Sequence, residues 1–235
     1  MSSAGESQSN LKTIIETKIN QLNTEMGSLS RDEKSSKVED DEESKILSMI
    51  CNQLASSFLE HLQAKNYKKL RKTAKIIRKH LAKITDLLID KYIETGVISH
   101  IISILEYKYF NERKLVEECS WIIANISSST NKHVEFLISL DIVPKCISLF
   151  SSRTESFIEN AIWILANIAG TSLEYRNLLL DQGIVPSLVA TLDGSCFCSA
   201  LLDHVSWLII NLMRGKPYPP PEKVLQINYN YILKY

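Results

Sequence analysis

From about residue 45 onward, apolar positions recur at helical spacing, and the pattern repeats. Ser120-Trp121-Ile122-Ile123-Ala124-Asn125-Ile126 aligns with Ile162-Trp163-Ile164-Leu165-Ala166-Asn167-Ile168 and with Ser206-Trp207-Leu208-Ile209-Ile210-Asn211-Leu212. The Trp residues are 42 and 44 positions apart, and all three in the chain fall in this slot. A second marker keeps step: Ile142-Val143-Pro144 and Ile184-Val185-Pro186 lie 42 apart, and Gly96-Val97-Ile98-Ser99 fills the same place one unit earlier. Each unit predicts a short helix, a turn, a helix with Pro in its first turn, and a longer helix carrying Trp and Asn. Pro costs no hydrogen bond in a first turn, because that N–H has no partner within the helix. Gly170 and Gly215 follow the Trp/Asn helices, where a left-handed C-terminal residue is expected. A further unit over roughly 53–105 has the rhythm without Trp or Asn.

One such unit cannot bury its own apolar face, so neighbours must stack. A period near 42 lies in the range of armadillo and HEAT repeats. The expected fold is therefore all-α, an armadillo-repeat right-handed α-solenoid of about four repeats over 45–235. Residues 1–44 read differently. Leu11, Ile14, Ile15, Ile19 and Leu22 allow a short helix, but Ser28–Glu43 is too polar to offset its ordering entropy and reads as disordered.

Trp and Asn at i and i+4 share one side of a helix, one turn apart. Three registered pairs give an aromatic row and an amide row on one concave wall. Asn125, Asn167 and Asn211 offer donors and acceptors to an extended peptide backbone. Trp121, Trp163 and Trp207 make slots for aliphatic stems and attract a cation at the ring face. One turn before each Trp stand Glu117, Glu159 and Asp203, the carboxylates that a Lys- or Arg-bearing peptide needs. An Asn recurring inside an Ile/Leu/Ala-rich helix is poor for propensity, and exposure on a groove gives it a reason.

Over roughly 53–224 these residues resemble the importin-α family, whose armadillo repeats carry Trp-x-x-x-Asn and bind nuclear localisation signals. Trp163–Gly170 is similar to the family's third repeat, and Trp207–Pro220, with Arg214, to its fourth. The resemblance implies that the three Trp and three Asn form the main signal-binding site, with Glu159 at a polar groove position. It also implies basic, signal-bearing cargo and residence in cytoplasm and nucleus. Where the family has an acid four residues after the third-repeat Asn, this sequence has Thr171, and the companion positions are Ser129 and Val134. The deepest lysine pocket is thus expected to be uncharged. Importin-β is a further implied partner, although the family's basic N-terminal segment has no counterpart here, and about four units stand where the family has ten. The alternative is an armadillo scaffold that no longer reads nuclear signals.

Composition narrows the rest. Lys+Arg 27 balance Asp+Glu 27, which removes a global basic excess as an argument for nucleic acid or membrane surface. The charge is uneven: residues 1–45 hold six Lys/Arg against ten Asp/Glu, whereas Lys65–Lys83 holds nine Lys/Arg and no acid. That basic run reads as a solvated helix face. No apolar run approaches the roughly 20 residues that cross a bilayer. The five Cys read as reduced thiols, and neither they nor the five His show metal-ligand spacing. No nucleophile elbow, phosphate loop or metalloprotease motif is present, so an enzyme is not expected, nor a cofactor.

Overall fold

A computed structural model describes residues 36–82, 85–193 and 199–224. Two compact units divide the chain after Gln53. The described residues of the first form the N-terminal part of α1 (Ser36–Gln63). This helix begins inside the stretch Ser28–Glu43 that composition reads as disordered. The expected helix around Leu11–Leu22 lies outside the described residues.

The second unit holds the end of α1, then α2 (Tyr67–Leu81), and then helices in triplets. The first triplet is α3 (Asp86–Glu94), α4 (Val97–Ser103) and α5 (Arg113–Ser127). The second is α6 (Asn131–Ser139), α7 (Ile142–Leu149) and α8 (Glu155–Thr171). The third is α9 (Leu173–Asp181), α10 (Ile184–Asp193) and α11 (Ser199–Met213), followed by the single turn α12 (Pro221–Val224). Among the described residues there is no strand.

The triplet has local causes. Thr85 and Ser172 cap α3 and α9, their hydroxyls accepting from the Leu88 and Tyr175 amides. A left-handed residue stands immediately before α4, α7 and α10 in turn: Gly96 (φ 73°), Asp141 (φ 55°) and Gly183 (φ 79°). The chain reverses there with Gly twice and once with Asp, one of the few side chains that tolerates this region. Pro144 and Pro186 then fall in the first turns of α7 and α10, as the sequence predicts.

The long third helices pack side by side in the order α2, α5, α8, α11. Their inner positions form the core: Leu70, Ala74 and Ile77 of α2; Val116, Cys119 and Ile123 of α5; Ile158, Ala161, Leu165 and Ile168 of α8; Leu201, Leu208 and Leu212 of α11. Cys51, Cys119 and Cys146 are buried, and burial pushes the thiols of Cys119 and Cys146 upward, out of reactive range. Cys196 and Cys198 lie outside the described residues.

Gly215 has φ 91°, the left-handed residue expected after α11. Gly170 does not play that part. It lies inside α8, and a Cβ there would meet the Asn211 amide at 3.2 Å. Its small size admits the Asn211 side chain, a packing reason in place of the expected capping one.

Candidate functional site

All three Trp/Asn pairs lie on the wall formed by α5, α8 and α11, but the members have different surroundings. Trp121 is 45% exposed and Trp207 is 37% exposed, whereas Trp163 is half-buried. Each exposed indole sits on a helix whose opposite face is in the core, so exposure follows from the 3.6-residue period.

Trp121 is not open. The Arg78 guanidinium of α2 lies 4.8 Å from its ring centre and donates Nε–H to Glu118 Oε2 at 2.5 Å. The chain thus places its own cation where a ligand's would sit. Trp163 is covered by His204, whose ring stacks at 5.4 Å between centres and 23° between planes. His204 Nδ1 lies 3.5 Å from Glu159 Oε1.

The amide row departs furthest from expectation. Asn125 is half-buried, with no side-chain hydrogen bond among the described residues. Asn167 Nδ2 donates to Ser127 Oγ at 3.0 Å. Asn211 is only 4% exposed, and its Nδ2 donates to the Ala166 carbonyl at 2.9 Å. The expectation of three amides free for a peptide backbone is corrected here. Asn211 ties α11 to α8, because a buried amide must find a partner and the neighbouring helix backbone supplies it.

The acid row is also graded. Glu117 accepts from Ser156 Oγ at 2.8 Å, Glu159 faces His204, and Asp203 is exposed. Of the three positions flagged as replacing a lysine pocket, Val134 is buried in α6 and not on the wall at all. Ser129 donates to Asp86 Oδ1 at 2.8 Å, and the Thr171 hydroxyl donates to the Asn167 carbonyl at 3.0 Å. Sequence reasoning also missed α2 as a wall helix. Read as a solvated basic face, it packs beside α5 through Leu70, Ala74 and Ile77 and presents Arg78 to Trp121. The apolar positions 70, 74, 77 and 81 carried that signal.

Ser127, Ser129, Asn167, Thr171, Trp207 and Arg214 line a cleft of about 330 Å³ between the C-terminal ends of these helices. No acidic residue lines it. Arg214 Nη2 donates to the Gly170 carbonyl at 2.8 Å. Among the described residues no three His, Cys, Asp or Glu converge in a metal-sized cluster, and no helix is long and apolar enough to cross a membrane.

The similarities to known proteins follow this geometry. The computationally designed armadillo repeat proteins for modular peptide recognition superpose at TM-score 0.62 with 21% identity, over 77% of this chain and 69% of theirs. The fold is the armadillo fold. A designed armadillo protein in complex with the peptide (KR)4 gives TM-score 0.59 and 21% identity, covering 86% of this chain and 85% of that one. An engineered protein gives TM-score 0.63 and 20% identity, over 75% and 67% of the two chains. The Armadillo/beta-catenin-like repeat family matches residues 130–170, the armadillo triplet α6–α8. In sequence, Importin subunit alpha-6 of Arabidopsis thaliana is 32% identical over 135 residues. That match takes in 57% of this chain and 24% of the importin subunit.

Proposed function

We propose that the α2–α11 unit is an importin-α-like peptide-recognition module that takes basic, signal-bearing segments of cargo proteins and serves nuclear import between cytoplasm and nucleus. The observation that carries this reading is the row of three indoles on adjacent helices of one wall, two of them exposed, with a carboxylate one turn from each. Arg78 shows the chemistry in miniature: a guanidinium over an indole, held by a carboxylate. The partial likeness to an importin subunit and the fold shared with a (KR)4-binding design support the same direction. The peptide's lysine and arginine stems would lie against Trp163 and Trp207, charge supplied by Glu159 and Asp203. Asn125 and the second N–H of Asn167 remain for its backbone.

Titration of a lysine-rich signal peptide, followed by Trp fluorescence, tests the proposal. Saturable binding that is lost in Trp207→Ala, with the melting temperature kept, is the expected result. A second reading, an armadillo scaffold that does not read such signals, is favoured by the burial of Asn211 and the closure of Trp121. It would show as no fluorescence response at millimolar peptide.

A further inference from the structure

The cleft at the C-terminal ends of α5, α8 and α11 has the wrong charge for a lysine. Its lining carries one ionised group, the Arg214 guanidinium, and no carboxylate. A guanidinium has five N–H donors, and the bond to the Gly170 carbonyl uses one. A second cation lies beneath it. Arg176 is 1% exposed, and its guanidinium donates to the carbonyls of Arg214 at 2.7 Å and Pro217 at 3.0 Å and to Asn177 Oδ1. Those partners are neutral oxygens. A buried charge without a counter-charge leaves its potential uncompensated. Arg176 also holds the backbone of Arg214, and so fixes the root of the side chain that enters the cleft.

The hydroxyls there do not reverse this. Ser127, Ser128 and Thr171 donate their protons to the carbonyls of Ala124, Asn125 and Asn167, and Ser129 donates its proton to the Asp86 carboxylate. The carbonyl ends of the three helices carry partial negative charge, and the bond between Arg214 and the Gly170 carbonyl answers one of them directly. A lysine ammonium entering the cleft would meet the Arg214 guanidinium and no lining carboxylate, the nearest acid, Asp86, being engaged behind Ser129.

We propose that this cleft takes an anionic side chain, a carboxylate or a phosphate, from the peptide bound along the Trp row. The inference rests on the peptide-groove reading and specifies its ligand. Side chains of an extended peptide alternate in direction. One edge of the row offers Glu117, Glu159 and Asp203, the other Arg214, two turns beyond Trp207 and one residue past the end of α11. The matching ligand is of mixed charge, basic toward the first edge with one acid at the second.

The test is a scan. A lysine-rich peptide, and versions in which each residue in turn is replaced by Glu or by phosphoserine, are titrated against the full chain by Trp fluorescence. At one position replacement should tighten binding at least tenfold. The gain should vanish in Arg214→Gln and invert in Arg214→Glu, with folding of both checked by circular dichroism. The Glu and phosphoserine arms separate the two sources of negative charge. If the all-lysine peptide binds tightest at every position, or the gain survives Arg214→Gln, the anionic cleft is wrong while the groove stands. If no peptide of either charge binds, the groove reading itself fails and the cleft proposal with it.

Discussion

Removing Arg78 should weaken the fold and strengthen the groove at once. In the free protein its guanidinium lies 4.8 Å from the Trp121 ring centre, a contact worth about 0.5–1 kcal/mol. Its bond to Glu118 joins side chains 20% and 17% exposed, so solvent screening holds that pair to about 1 kcal/mol. A peptide cation arriving at Trp121 must displace both, an opposing term of about 1.5–2 kcal/mol. Arg78→Ala abolishes the term. Stability should fall by about that amount, read from the urea midpoint at constant slope. Affinity for a lysine- and arginine-rich peptide should rise roughly tenfold, since 1.4 kcal/mol is a factor of ten.

The assay is fluorescence titration, with a control in the same background. Glu118→Gln added to Arg78→Ala should lose most of the gain, because the released carboxylate supplies much of it. Unchanged or weaker binding in Arg78→Ala would refute the reasoning. Trp121 would then be no part of the ligand surface, and Arg78 no surrogate for a ligand.

Three further outcomes follow from particular contacts. Asn211→Leu should cost about 1–2 kcal/mol in chemical denaturation through loss of the buried bond to the Ala166 carbonyl, whereas Asn125→Ala should leave stability within about 0.5 kcal/mol and weaken peptide binding instead. Gly215→Ala should lower the melting temperature, by a left-handed penalty of about 1–2 kcal/mol. Its new Cβ would clash with Leu173 Cδ2, which must swing aside. Asp90 has its carboxyl held below the ordinary 3.8 by hydrogen bonds from Lys132, the larger cause, and His133. Its folded pKa is the lower one, so its contribution is present above pH 4 and is lost as pH falls through the depressed value. Asp90→Asn should flatten the stability–pH curve below about pH 4, measured by melts from pH 2 to 7.

The fold was legible because the triplets repeat their punctuation: a left-handed Gly or Asp in all three, a Pro soon after it in the second and third, and Trp and Asn at fixed spacing. Sequence periodicity locates the face a residue occupies. It does not say whether the adjacent helix reaches that face. Asn125, Asn167 and Asn211 occupy one slot in the pattern, yet the last is consumed by a carbonyl 45 residues away. Arg78 was hidden in a run of cations for the same reason, since only packing of α2 against α5 singles it out from Lys75 or Lys79. Gly170 misled because two uses of glycine, a left-handed turn and a close approach, look identical in sequence.

Graded use of one repeated position has a consequence for recognition. A ladder of identical rungs binds in any register, because shifting the ligand by one unit restores every contact. Here the rungs differ. The first indole is guarded by Arg78, the second is shared with His204, and the third is open beside Asp203 and leads to Arg214. The amides run in parallel: Asn125 without a side-chain hydrogen bond among the described residues, Asn167 half-engaged, Asn211 withdrawn. A ligand sliding by one unit would trade an open slot for an occupied one and a carboxylate for a guanidinium. Each such trade costs about 1 kcal/mol or more when the charges are like. On the proposed peptide-groove reading, the differences at Arg78 and Arg214 would narrow the set of bound sequences and select a single alignment together.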